Sequence, residues 1–129
     1  MSNQNESKTY EITPADCSLE IHTFSEKFMD TVVHFSTLKM HDSFFLWAGT
    51  TSKMPDMSLA MSLRMLNNPD ASRLFGETDN QTSINLSKHL AKKTMKQVYA
   101  SCNIPDDQLL VSAVEKRIAK EINDHPEKF

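Results

Sequence analysis

The most hydrophobic stretch of the chain covers residues 43–48, where every position is apolar or small. It includes Trp47, the only tryptophan, and it lies between Asp42 and Gly49. A short apolar run between turn residues indicates a strand that is buried on both faces. The remaining elements must therefore provide cover for two faces of this strand.

The preceding segment, residues 17–40, has the composition of β-strands, because it is rich in β-branched and aromatic residues and contains no Gly, Pro or Asn. The only candidate break is Ser25-Glu26-Lys27, whose turn chemistry is weak. Either a hairpin turns there or one long strand is bent by a bulge, and the weak turn favours the bent strand. Residues 39–43 are the first good turn candidate.

The segment at residues 56–65 fits two structures. Its Leu, Ala, Met and Arg residues are strong helix formers, and Pro55-Asp56 could open a helix. Apolar residues nevertheless alternate with smaller ones over seven positions, which favours a strand. Residues 67–81 follow as a long polar loop. The side chains on the apolar face of the strand would be Met57, Leu59, Met61 and Leu63.

Two amphipathic helices are predicted in the C-terminal half, with a strand at residues 97–102 between them. Asn80 or Thr82 caps the first helix, which runs to about residue 93. The second opens with acidic residues at Pro105-Asp106-Asp107. The predicted inward stripes are Ile84, Ser87, Leu90 and Ala91 on the first helix and Leu110, Val111, Val114, Ile118 and Ile122 on the second.

This order of elements predicts an α+β domain in which an antiparallel β-sheet carries two α-helices on one face. Two helices of ~10 Å width cover one face of five strands spaced ~4.8 Å apart, and nothing is left for the other face. An exposed sheet face with aromatic side chains is an association surface, so we expect the domain to dimerise through the sheet. The sequence leaves open which sheet face points outward, and the predicted interface residues are Phe35, Phe45, Trp47, Met57, Leu59 and Met61.

Length and charge exclude several classes of protein. The 129 residues suit one domain, here residues 17–129, after a polar tail at residues 1–16 that we expect to be disordered. The net charge of −3 gives no basic footprint for nucleic acid, and no apolar run is long enough to span a membrane. The two cysteines indicate a reducing compartment, so we expect the protein in the cytoplasm or the nucleus.

No catalytic, cofactor or metal site stands out. The five histidines show no metal-binding spacing, although a hairpin would make His22 and His34 neighbours. Cys102 alternates with Val98 and Ala100, which favours a buried, inert thiol over a catalytic one. A small basic helix face has two interpretations, a solvated surface or a docking site for an acidic protein patch. Its residues are Lys88, Lys92 and Lys93.

Several motifs keep their order and spacing over residues 17–129. They are Val33-His34-Phe35, Asp42-Ser43-Phe44-Phe45-Leu46-Trp47-Ala48-Gly49, Leu59-Ala60-Met61, Leu86 with Leu90-Ala91-Lys92-Lys93-Thr94, Lys96-Gln97-Val98, Val114-Glu115-Lys116-Arg117-Ile118 and Pro126-Glu127-Lys128-Phe129. Each is short, but together they resemble the proteasome assembly chaperone 4 family. Residues 1–16 and the loop at 67–75 do not match that family.

The resemblance implies a non-enzymatic chaperone that works as a heterodimer with proteasome assembly chaperone 3. It implies that this pair binds α-type subunits of the 20S core particle, notably the fifth (alpha 5), and helps to order the α-ring. Whether the isolated chain forms a homodimer stays open. The alternative function is a dimeric α+β adaptor or scaffold in another complex, which co-purification of α-type subunits would distinguish.

Overall fold

The computed structural model describes residues 9–62, 68–77 and 80–129. The described residues form six strands and two α-helices, followed by a single 3-10 turn at Pro126–Lys128. In chain order they are β1 (Glu20–Phe28), β2 (Thr31–Met40), β3 (Ser43–Gly49), β4 (Met57–Met61), β5 (Asp70–Phe75), α1 (Thr82–Thr94), β6 (Gln97–Asn103) and α2 (Gln108–Asp124).

The strands form one sheet in the order β1-β2-β3-β6-β4-β5. The α+β class is confirmed, but the sheet is mixed, because β3 and β6 pair in parallel while the other neighbours are antiparallel. The parallel pair arises from the crossover through α1. Because of this crossover, β6 runs in the same direction as β5, which is also the direction of β3. Strand β4 then lies between β5 and β6, as in a split β-α-β unit.

The prediction of one long bent strand before residue 40 is wrong, because β1 and β2 form a hairpin in register from Phe28–Thr31 to Glu20–Lys39. The turn lies at Met29 and Asp30 rather than at Ser25-Glu26-Lys27. Met29 has a φ of 54°, a conformation that side chains other than Gly, Asn and Asp rarely adopt. The hydrogen bonds along the hairpin compensate for that unfavourable backbone, and Asp30 is the one turn-forming residue that marks the turn in the sequence.

Residues 67–81 were predicted as a loop, but Asp70–Phe75 forms the edge strand β5 beside β4. This strand has few apolar side chains and a register shift opposite Met57 and Ser58, so its sequence lacks the alternation typical of strands. Strand β4 is confirmed. Its predicted neighbour Leu63 and the first eight residues of the predicted tail lie outside the described residues. Residues 9–16 are exposed and lack regular secondary structure.

Both helices pack on one face of the sheet, as predicted. Strands β2, β3 and β6 each turn alternate side chains towards the helices, and these form one core with the inward stripes of α1 and α2. On α1 the buried stripe is centred on Leu86 and Ser87, and Ile84 lies only half-buried. The fully buried large side chains include Phe35, Phe44, Leu46, Ile118 and Phe129.

A buried carboxylate fastens α2 to the edge hairpin. Glu121 is 6% exposed; its Oε1 lies 2.8 Å from Nε2 of His22, and its Oε2 accepts a 2.6 Å hydrogen bond from Arg117. Burial alone would raise the pKa of Glu121, but the hydrogen bonds from His22 and Arg117 outweigh it and the pKa lies below its ordinary value. Arg117 also stacks over the ring of Phe24 at 4.8 Å.

We expect Glu121→Gln to lower the free energy of unfolding at pH 7 by about 1–2 kcal/mol, because charge-assisted hydrogen bonds are lost. A carboxyl group with a depressed pKa in the folded state stabilises it above the ordinary glutamate pKa, and this contribution disappears as the pH falls through the folded value. Urea denaturation at pH 7 and pH 3 should therefore show a difference that shrinks with acid. Glu11→Gln, at an exposed site before β1, is the control, and an equal loss at both pH values would contradict the expectation.

Candidate partner-binding surface

The face of the sheet away from the helices carries a continuous apolar stripe. Phe45 on β3 is paired with Leu38 on β2 and with Tyr99 on β6, and Tyr99 is paired in turn with Leu59 on β4. All four side chains are half-buried by one another, and no described element lies over them. We call this surface, together with Trp47, Met57 and Met61, the open face.

Trp47 forms one side of a shallow pocket on the open face. Its indole Nε1–H donates a 2.9 Å hydrogen bond to the backbone oxygen of Lys53, which fixes the ring beneath the loop after β3. A Cβ at Gly49 would overlap this ring, so glycine is needed for the ring to lie flat on the strand. The pocket holds about 350 Å³, and its lining includes Ser36, Phe45 and Met54.

Five of the six residues predicted for dimerisation share the open face, but Phe35 does not. It is 1% exposed and stacks on Phe24 with ring centroids 4.5 Å apart on the helix-covered side. The register explains the error, because Phe35 is paired with Ala48, whose side chain points into the core. The dimer contacts of the other five residues, Phe45, Trp47, Met57, Leu59 and Met61, stay a prediction.

Two members of the open face were missed in the sequence, Leu38 and Tyr99. Both could be found by alternation, since Tyr99 lies between Val98 and Ala100, which are fully buried on the other side. The sequence does not show that β3 and β6 are neighbours in the sheet. This parallel pairing joins the aromatic side chains of β3 and β6 into one stripe.

The three lysines predicted for docking lie on the opposite side of the molecule. Lys92 and Lys93 are exposed in the last turn of α1, where their charges also favour the helix dipole, and Lys88 is half-buried. The open face and this basic helix face therefore point in opposite directions, with the sheet and the core between them.

The structure gives no support to the thiol and histidine chemistry that the sequence left open. Burial, followed by the nearby Asp56 carboxylate, raises the pKa of Cys102 to about 12, so its thiol is protonated at neutral pH. The hairpin register pairs His22 with Thr37 and His34 with Ser25, which places the two rings on opposite faces of the sheet. In the described ranges, no three His, Cys, Asp or Glu side chains cluster as metal ligands would, and no helix is long and apolar enough to cross a membrane.

Comparison with known proteins identifies clear relatives. The family model described as Proteasome assembly chaperone 4 matches residues 32–104. Proteasome assembly chaperone 4 of Mus musculus is 39% identical over 116 residues, covering 89% of this chain and 94% of the mouse protein. The Homo sapiens protein of that name is 36% identical over 119 residues, covering 92% of this chain and 97% of the human one.

A solved structure shares the fold. It is described as the crystal structure of a novel chaperone complex for yeast 20S proteasome assembly. The match has a TM-score of 0.56 and covers 83% of this chain and 95% of the solved one, at 12% sequence identity. At that identity, the likeness shows that the two chains have the same fold.

Proposed function

The chain belongs to the proteasome assembly chaperone 4 family, and from that membership we propose that it is a non-enzymatic chaperone of 20S proteasome assembly. The observation that carries the proposal is the open face, a stripe of aromatic and aliphatic side chains that the described chain leaves uncovered. Such a stripe suits a second protein better than a substrate, because it lacks convergent polar groups that would orient a small molecule.

The partner we propose for the open face is proteasome assembly chaperone 3. Pairing the two sheets would remove the stripe around Phe45 and Leu59 from water, which favours association by about 25 cal/mol for each Å² of apolar area buried. The related yeast fold was solved in a chaperone complex for 20S assembly, which is consistent with a partnered form. A homodimer would use the same face when the partner is absent.

The heterodimer would then bind α-type subunits, with the fifth (alpha 5) as the first candidate. By holding one subunit in the orientation that it has in the α-ring, the chaperone would reduce the rotational and translational entropy that its neighbour loses on joining. Binding energy is sufficient for this templating, so no nucleotide would be needed.

The test of the dimer is Phe45→Glu, which places a charge in the middle of the stripe. We expect the affinity for proteasome assembly chaperone 3 to fall by about 100-fold or more, because a carboxylate would be desolvated in an apolar contact. The matched control is Leu109→Glu, the same kind of change at a leucine that is 77% exposed in the first turn of α2. The control should change the affinity by no more than about twofold.

Two measurements decide the result. Sedimentation velocity of each variant mixed with proteasome assembly chaperone 3 reports dimerisation, and capture of purified α-type subunits by the wild-type pair reports chaperone activity. An unchanged affinity for Phe45→Glu would rule out the open face as the interface. A wild-type pair that captures no α-type subunit would instead favour an adaptor role in another complex.

A further inference from the structure

The two helices lie side by side in the same direction and leave a groove between them. Residues at both helix starts, such as Thr82 and Gln108, line one end of it, and residues near both helix ends, such as Thr94 and Ile122, line the other. The middle of the groove holds about 390 Å³ and has Lys93 on one side and Lys116 on the other. Its apolar lining comes from Leu86, Leu90 and Ala119.

The lysines around the middle of this groove have no ion-pair partner among the residues that the structure describes. Helix α1 carries three lysines and no carboxylate, although the whole chain has a net charge of −3. By contrast, Lys39, Lys96 and Lys128 each donate a hydrogen bond elsewhere in the chain. The lysines on α1 and α2 that form no hydrogen bond or ion pair within the described ranges are Lys88, Lys92, Lys93, Lys116 and Lys120.

One carboxylate, Glu115, also lines the middle of the groove, but it already has a partner. Its Oε2 lies 3.4 Å from Nδ1 of His89 on the facing helix. This contact bridges α1 and α2. The groove therefore combines apolar side chains at its base with two ammonium groups on opposite walls, and neither lysine forms an ion pair within the described ranges.

We propose that this groove is the docking site for an acidic segment of a protein partner. An apolar side chain of the segment would rest on Leu90 and Ala119, while a neighbouring carboxylate would lie between Lys93 and Lys116. The inference rests on the proposed function, since it makes the partner an α-type subunit and gives the subunit a defined surface. It extends the basic face predicted on α1 alone to both helices.

The charges along the groove favour a protein segment over nucleic acid or an anionic membrane. Glu77 and Asp106 line the end of the groove at the helix starts, so its charge changes sign along its length. A phosphate backbone or a lipid surface would place negative charge against those carboxylates. A peptide segment can match both ends, with a basic residue near Asp106 and acidic residues near Lys93. The groove also lies away from the open face, so both partners can bind at once.

The experiment uses the full chain in complex with proteasome assembly chaperone 3. The double variant Lys93→Glu with Lys116→Glu reverses the charge on both sides of the groove. Ala119→Phe fills the apolar base of the groove without a change of charge. Lys120→Glu, at an exposed lysine of α2 that does not line the groove, is the control for a charge reversal. Titration calorimetry with purified α-type subunits, tested one at a time, measures the affinity, and thermal melts confirm that each variant is folded.

We expect the double charge reversal to weaken subunit binding by about tenfold or more and Ala119→Phe to weaken it similarly, with the control within about twofold. Heterodimer formation should be unchanged in the groove variants.

If the wild-type pair binds a subunit and both groove variants bind it equally well, the groove is not the site although the proposed function stands. If the wild-type pair binds no subunit, the proposed function fails and this inference fails with it. If a single-stranded oligonucleotide or phosphatidylserine vesicles bind in a Lys93-dependent manner and subunits do not, the assignment of a protein partner is overturned.

Discussion

Phe129→Ala is expected to lower the free energy of unfolding by about 3–5 kcal/mol, because the substitution removes a fully buried aromatic ring and leaves a cavity. Phe129 is 2% exposed, and its ring meets the ring of Phe44 edge-on at 5.5 Å. It also contacts the edge of His22, whose imidazole holds Glu121 on α2. Loss of the ring therefore affects both the packing within the sheet and the packing of α2 on it.

Urea denaturation followed by tryptophan fluorescence and by circular dichroism would measure the change. The matched control is Phe75→Ala on the edge strand β5, where the ring is 46% exposed and the loss should be about 1 kcal/mol or less. A hydrogen bond also anchors the segment, since Nζ of Lys96 donates to the backbone oxygen of Phe129 at 2.7 Å. Equal losses for Phe129→Ala and Phe75→Ala would show that the segment at residues 125–129 does not belong to the core.

No pattern in the sequence indicated that Phe129 is part of the core. The residue follows Pro126 in a short polar segment, so it belongs to no periodic pattern from which burial could be predicted. The stripes of the helices were predictable because 3.6-residue periodicity repeats over several turns. On α2 the buried positions Leu110, Val114, Ile118 and Ile122 match the prediction, whereas Val111 is only half-buried. A single side chain in an irregular segment offers no repetition, and only its tertiary contacts show its role.

The two hairpin turns show that backbone conformation, too, could be predicted only in part from the sequence. The turn between β2 and β3 was predicted, and there Asp42 has a φ of 51°, a conformation that Asp tolerates well. The turn between β1 and β2 was missed because Met29 occupies the equivalent conformation at 54°. Turn residues predict a turn when its local chemistry is favourable, whereas strand pairing can impose one on an unfavourable residue.

For the open face, alternation within strands was enough to find Phe45, Trp47, Met57, Leu59 and Met61 as one set. Alternation could not assign Phe35, because which side of a strand faces the helices depends on the register between strands. It also could not predict the groove between α1 and α2, since that surface exists only when two helices separated by β6 are packed beside each other. Alternation within single strands could thus group most side chains of the open face, but the groove required the tertiary structure.

Asp56, whose carboxylate is buried, is the second residue whose removal we expect to lower the free energy of unfolding strongly. Asp56 is 3% exposed and joins three elements: its Oδ2 accepts a 2.6 Å hydrogen bond from Ser83 on α1, and its Oδ1 accepts one of 3.3 Å from the backbone N–H of Cys102 on β6. Its Oδ2 also lies 3.7 Å from Nη1 of Arg73 on β5. The sequence suggested only that Pro55-Asp56 could begin an element.

Asp56→Ala should lower the free energy of unfolding by about 3–5 kcal/mol, because it leaves the guanidinium of Arg73 buried without a counter-ion. The side chain of Arg73 is 12% exposed, so water cannot replace the carboxylate fully. The double variant Asp56→Ala with Arg73→Met removes both charges and should recover part of the loss, whereas Asp16→Ala, at an exposed site, should have no measurable effect. Chemical denaturation of the wild type, Asp56→Ala, Arg73→Met and the double variant completes the cycle. If the double variant were less stable than Asp56→Ala alone, the cost could not come from an unpaired guanidinium, and the hydrogen bonds to Ser83 and Cys102 would have to account for the whole loss.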